Sequence, residues 1–315
     1  HLAKQKEKIH RTMIGGQAII EGIMMRGPEK AATVVRAPEG IVVKEEVITP
    51  IKKKYPVLGW PFIRGVTGFY ESMKLGIGAL TYSADFYPDD ESEAPSKLDE
   101  WIERKLGEEK AKKLVMGIAL TLGIALPVAL FILLPTLLAG TLDSVIGSGI
   151  WRNLLEGALR ITIFLLFLVL SSRTKDIKRV FAYHGAEHKT IHCYEAGLPL
   201  TVENVRKFPR QHPRCGTSFL FVIMIVSILV FAAVSWSNPF VRMALRLLLL
   251  PVVVGISYEI NRYAGKNDNA FTVALRAPGM WFQNITTREP DDSMIEVGIE
   301  ALTRVIPETQ GADKW

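Results

Sequence analysis

From Leu114 to Leu142 the chain runs for 29 residues without a charged side chain, and from Cys215 to Val241 it does so for another 27. A helix of about 20 apolar residues crosses a hydrocarbon core of about 30 Å, so both runs predict membrane spans. A helix that is apolar all round has to be buried on every side, and two such segments in one chain point to lipid as the solvent. Two further segments carry charge. The segment 153–172 contains Glu156 and Arg160, and 240–258 begins with Arg242 and Arg246. Both are read as spans, because Glu156 and Arg160 can pair at i, i+4 and an arginine near a helix end can snorkel to the interface.

The expected fold class is therefore an α-helical integral membrane protein with about four transmembrane helices in two hairpins, 114–142 with 153–172 and 215–241 with 240–258. A mixed α+β cytoplasmic domain is expected beside them, assembled from the N-terminal segment, the central loop and the C-terminal segment. In order, residues 1–113 are an N-terminal cytoplasmic segment and 114–172 the first hairpin. Residues 173–214 form a His-rich cytoplasmic stretch, 215–259 the second hairpin and 260–315 a C-terminal segment with amphipathic helices. The stretch 173–214 holds nine Lys or Arg. Basic loops stay on the inner side, which predicts a multi-pass cell-membrane protein with both termini cytoplasmic. The formal charge of +6 then reflects orientation and contact with a lipid bilayer; no nucleic-acid motif appears, and other membrane proteins are the remaining partners expected.

Cys193 and Cys215 are the two cysteines, and on a cytoplasmic face they are expected as free thiols. The basic residues 1–12 are followed by no apolar core of signal-peptide length. Within Ile14–Ile51, the runs A-T-V-V-R and I-V-V-K-E-E-V-I flank the turn-like Ala37-Pro38-Glu39-Gly40, which predicts a hairpin; Gln17–Met25 reads as one more strand. Trp60–Tyr82, glycine-rich and aromatic, is expected to lie on the membrane. Phe271–Phe282 suits either the headgroup region or an ordinary core helix. Between Asp85 and Glu109 there are ten acidic residues, read as a solvated linker into a polar helix, Ser96–Lys113. A last helix runs from about Pro290 to Val305, with Asp291 and Asp292 in its first turn.

The chemistry concentrates in Tyr183–Glu195, Y-H-G-A-E-H-K-T-I-H-C-Y-E, with three of the six histidines. At about 100° per residue, His184, His188, His192 and Glu195 fall within roughly 80° on a helix, with Glu187 on the adjoining edge. His184-x-x-Glu187-His188 matches the pattern in which two histidines one turn apart hold a zinc ion and the glutamate activates water. A third protein ligand must come from elsewhere while a fourth position stays open. Glu195 is one candidate; His212 and Cys215, in Q-H-P-R-C-G-T-S just before a span, are others. Glu259 is a further candidate, as a ligand or as the acceptor that fixes a histidine tautomer. His192 is a ligand or a surface residue, Cys193 a small buried hydrophobe, and His1 and His10 tail residues without a role. Glu21 and Arg26 flank a strand-like run and read either as its structural ends, the favoured reading, or as groups that reach the site from the N-terminal sheet.

Four motifs together, G-G-Q-A-I-I-E-G-I-M-M-R-G-P (15–28), H-G-A-E-H-K-T-I (184–191), H-P-R-C-G-T-S-F (212–219) and T-T-R-E-P-D-D (286–292), resemble the YqhQ-type family of bacterial membrane proteins. The resemblance spans nearly the whole chain. It implies a family of unknown function described as metal-dependent enzymes of the membrane. Carried over by motif, it implies His184, Glu187, His188, Tyr194, Glu195, His212, Arg214 and Cys215 as a functional core, with Glu21 and Arg26; His192 lies outside the fixed motif.

The expected function is a zinc-dependent hydrolase at the cytoplasmic membrane face, with Glu187 as general base and metal ligands drawn from His184, His188, Glu195, His212 and Cys215; another divalent metal would serve the same ligands. Its substrate would be a peptide or a lipid-linked ester. One alternative is a non-enzymatic scaffold or assembly factor stapled by a closed metal site of His184, His188, His212 and Cys215. A second is a transporter or channel using Glu156, Arg160, Arg242 and Arg246.

Overall fold

A computed structural model describes residues 11–87, 97–142, 150–233, 238–309 and 311–314. His1 and His10 lie outside them. The chain divides into two compact units: 1–86, 168–226 and 251–315 form the first, and 87–167 with 227–250 the second.

The first unit is built on a four-stranded antiparallel meander, β1 Gly15–Ile19, β2 Gly22–Arg26, β3 Lys30–Ala37 and β4 Gly40–Val47, in the order β1-β2-β3-β4. The turn at 37–40 closes the β3–β4 hairpin, with Ala37 opposite Gly40. Gln17–Met25 is not one strand. It folds back on itself at Ile20-Glu21, with Ile19 opposite Gly22 and Glu21 at φ 48°. The apolar run hides this turn, because neither Ile20 nor Glu21 is a usual two-residue turn former.

The edge strand β4 ends in Lys44-Glu45-Glu46, a charged rim of the kind that discourages pairing with another chain. On the sheet pack α5, Lys175–Glu195, and α9, Asp292–Val305. Asp291 caps α9 by accepting from the Met294 amide, as its position before the first turn requires. The core joins Ile23, Met25 and Val34 of the sheet to Tyr183 and Ala186 of α5 and to Ile295 and Leu302 of α9. Cys193 is fully buried in that core. The two helices meet through small residues: a Cβ on Gly298 would stand 2.7 Å from Thr190 Oγ1.

Trp60–Tyr82 lies mostly in α1, Ile63–Ala84, which buries Gly65, Gly76, Ala79 and Ser83 and exposes Phe69, Tyr70 and Met73. Phe271–Phe282 lies in α8, Ala270–Thr286, capped by Asn269; Phe282 is buried, while Phe271 and Trp281 are exposed.

Among the described residues, three helices are long and apolar enough to cross a membrane: α3 Glu108–Thr141, Trp151–Ser171 within α4 (Ile150–Ser171), and Phe240–Lys266 within α7 (Pro239–Lys266). The apolar helix α6, Gly216–Ala232, has 17 residues. The polar helix expected to reach Lys113 stops earlier, as α2 Lys97–Leu106, because Gly107 at φ 78° breaks it. Glu108–Lys113 is instead the first part of α3.

In the second unit, Glu156 and Arg160 pair at 3.0 Å. Arg246 does not snorkel. It is 1% exposed and bonds Glu156 and Thr136. Arg160 also donates to Ser227 Oγ and to the Phe131 carbonyl, both at 2.8 Å. A buried guanidinium needs an anion more than it needs length to reach water, and Glu156 supplies it.

Candidate metal centre

Helix α5 places His184, Glu187 and His188 on one face, and the loop that follows Arg206 brings His212, Arg214 and Cys215 up to it. His184 Nε2 lies 3.2 Å from Cys215 Sγ, and the His184 and His188 rings stand 4.3 Å apart. The ligand atoms of His184, His188 and Cys215 all fall within 4.8 Å of one another.

The hydrogen bonds behind the rings decide what these nitrogens can do. His184 Nδ1 is 2.8 Å from the Thr286 carbonyl and His188 Nδ1 is 2.6 Å from the Arg210 carbonyl. A carbonyl only accepts, so each Nδ1 carries the hydrogen, and in its neutral form each ring turns an Nε2 lone pair forward. His188 Nε2 is buried and has no hydrogen-bond partner within normal geometry among the described residues. Two oriented lone pairs beside a sulfur are a donor set suited to zinc, which takes nitrogen at about 2.0–2.1 Å and thiolate at about 2.3 Å. A metal ion fits these residues.

Burial pushes the Cys215 thiol up, but His188 and His184 outweigh it and hold the thiol well below its usual range. Burial pulls His184 down, and Cys215 with Glu187 overcomes this to raise it to about 9. Glu187 accepts from the Gly16 amide at 2.9 Å through Oε1, while Oε2 is buried and has no partner among the described residues. Burial raises its carboxyl, and the two neighbouring imidazoles oppose that.

A second group forms beside the first. His192, Glu195 and His212 bring ligand atoms within 4.8 Å of one another. Its hydrogen bonds run differently. His212 Nδ1 accepts from the Arg214 amide at 3.3 Å, so Nε2 carries the hydrogen and faces Glu195 Oε2 at 3.3 Å. Glu195 Oε1 takes Arg214 and the Thr12 amide. Burial pushes Glu195 up, and the bonds from His212 and the charge of Arg214 bring it below its usual value. Burial depresses His212 to about 4 and also lowers His192, whose Nε2 donates to the Gln211 carbonyl at 2.8 Å.

Of the sequence candidates, His184, His188, Cys215 and Glu187 come together, and Glu195 and His212 form a clamp next to them. Glu259 is elsewhere, held by Arg64 at 2.7 Å and by the Phe62 amide, because α1 packs against its helix. Glu21 binds Arg179 and Tyr183, and Tyr194 reaches Asp313. Sequence reasoning missed the Gly16 amide and the carbonyls of Thr286 and Arg210, which no side-chain pattern marks. It also missed Lys189, 3% exposed, which bonds Glu289 and the Arg206 carbonyl and so ties both supporting loops to α5. A buried lysine inside the motif was the signal available.

Glu187, His188 and Cys215 line a cavity of about 260 Å³, together with Gly15-Gly16, Arg26 and Arg214.

A family model described as "Protein of unknown function (DUF1385)" matches residues 60–308. An uncharacterized protein, YqhQ of Bacillus subtilis (strain 168), is 35% identical over 301 residues, covering 93% of this chain and 92% of that one. No solved structure matches the chain.

Proposed function

Because this chain belongs to the DUF1385 family, whose function is unknown, we propose its activity from its own residues: a zinc-dependent hydrolase anchored in the membrane. The observation that carries the reading is the convergence of the His184 and His188 Nε2 atoms on Cys215 Sγ at a cavity wall, with an unpartnered Glu187 oxygen alongside. Two histidines and a thiolate leave a zinc ion one open position, the coordination of catalytic rather than structural sites. A bound divalent ion would polarise a carbonyl or phosphoryl oxygen. Glu187 Oε2 takes the proton of the attacking water and returns it to the leaving group, while the Gly16 amide fixes Oε1. Thr286 and Arg210 hold both rings in the ligating tautomer.

The chain is read as multi-pass, with α6 as a fourth span and both termini cytoplasmic. The nine basic residues of 173–214 support that orientation.

Purified full chain should carry about one equivalent of zinc by elemental analysis. His188→Ala should lose it, and Glu187→Gln should retain it while abolishing hydrolysis of ester and peptide substrates. X-ray absorption showing four protein ligands would make the site structural and overturn the hydrolase.

A further inference from the structure

The cavity that reaches Glu187 and Cys215 is lined by two arginines, Arg26 and Arg214. Each has an acidic partner. Arg26 bonds Glu71 at 3.1 Å and Ser72 at 3.3 Å, and Arg214 bonds Glu195. Neither Glu71 nor Glu195 contributes to the cavity wall. The acids therefore fix the guanidiniums from behind and leave their cationic fronts to the cavity. Arg214 Nε has no partner among the described residues. Glu187 is the acidic residue that does reach the wall.

The rest of the wall mixes polar side chains, Thr12, Gln17, Ser72, His188 and His212, with an apolar part. Ile14, Met24 and Ile191 are each at most 5% exposed, and Leu75 lines the cavity from α1 beside Ser72. Leu75, Met24 and Ile191 thus give the cavity an apolar side beside its two guanidiniums.

We propose that this cavity binds an anionic amphiphile, its phosphate or carboxylate head at Arg26 and Arg214 and its apolar chain against Met24, Leu75 and Ile191. A planar guanidinium held by a carboxylate is preorganised for such a head. The apolar chain gains from burial at the wall. That this ligand is the substrate rests on the hydrolase reading; that it binds does not.

The test uses the full chain in neutral-detergent micelles, titrated calorimetrically with hexyl phosphate, hexanol and inorganic phosphate. Hexyl phosphate should saturate at one equivalent and bind at least tenfold tighter than inorganic phosphate, and hexanol should give no saturable signal. Arg26→Gln and Leu75→Glu should each weaken hexyl phosphate at least tenfold. His184→Ala removes a ring that does not line the cavity; it should lose zinc and keep hexyl phosphate within twofold.

Nanodiscs of phosphatidylglycerol and of phosphatidylcholine then serve as competitors. Displacement by the anionic lipid alone assigns the ligand to the bilayer, and no displacement assigns it to a water-soluble amphiphile; either supports the proposal. Equal binding of hexyl phosphate and inorganic phosphate overturns it, as does unchanged affinity in both Arg26→Gln and Leu75→Glu, or loss of hexyl phosphate in His184→Ala. Wild-type chain that carries no zinc yet binds hexyl phosphate would sink the hydrolase and leave the amphiphile site standing.

Discussion

At His184 and His188 a main-chain carbonyl takes the Nδ1 hydrogen, whereas at His212 a main-chain amide gives one. The three imidazoles are the same chemical group in one small volume, and that difference separates two candidate ligands from a clamp. The spacing H-x-x-E-H showed that two rings share a face, but the tautomer is set by backbone from residues 210, 214 and 286, which no spacing rule reaches. His212 also gives the site a measurable pH dependence. Its folded value is about 4, and an exposed imidazole titrates near 6.5. Between those values the unfolded chain binds a proton that the folded chain refuses, so stability is complete above about pH 6.5 and falls as pH drops toward 4. The loss is on the order of 3 kcal/mol. Thermal melts of the detergent-solubilised chain at pH 7.5, 6 and 5 should show this fall, and His212→Gln should flatten it.

At the level of elements, α5 serves as both site helix and core helix, and it manages both by having no side chain where its neighbours come closest. A Cβ on Gly185 would overlap the Arg288 carbonyl, two residues beyond the Thr286 carbonyl that orients His184. Backbone cannot give way as a flexible side chain can. Gly185→Ala should therefore displace the 286–290 segment, cost about 1–3 kcal/mol and reduce zinc retention, measured by melting and by elemental analysis of the same preparation. A variant that melts lower but holds its metal would separate the two roles. The elements themselves were partly readable from sequence. Apolar runs, the 37–40 turn and the acidic start of α9 announced their structures through local chemistry. The Ile20-Glu21 turn did not, since its residues favour strand and the reversal is imposed by β1 pairing with β2.

On the scale of the whole molecule, each unit is assembled from segments distant in sequence, and buried charge shows what that demands. In the second unit Glu156 Oε1 accepts from Thr136, Arg160 and Arg246. Removing the acid strands two buried guanidiniums, so Glu156→Gln should cost about 3–5 kcal/mol. Arg160→Met leaves the Glu156–Arg246 pair intact and should cost less, a ranking read from thermal stability in detergent. The first unit is closed at its ends: Thr12 donates to Asp313 at 2.6 Å and through its amide to Glu195, so the N- and C-terminal segments brace the clamp beside the candidate metal centre. The sequence by itself determined the membrane-length helices, the histidine face and most of the sheet, because each depends on the chemistry of neighbours a few residues apart. Only the tertiary structure decided that Cys215 faces the two imidazoles, that Glu195 turns to His212 and Arg214, and that Arg246 points inward. Those outcomes depend on which backbone and which counter-charge arrive from more than a dozen residues away, a matter of packing that local pattern does not carry.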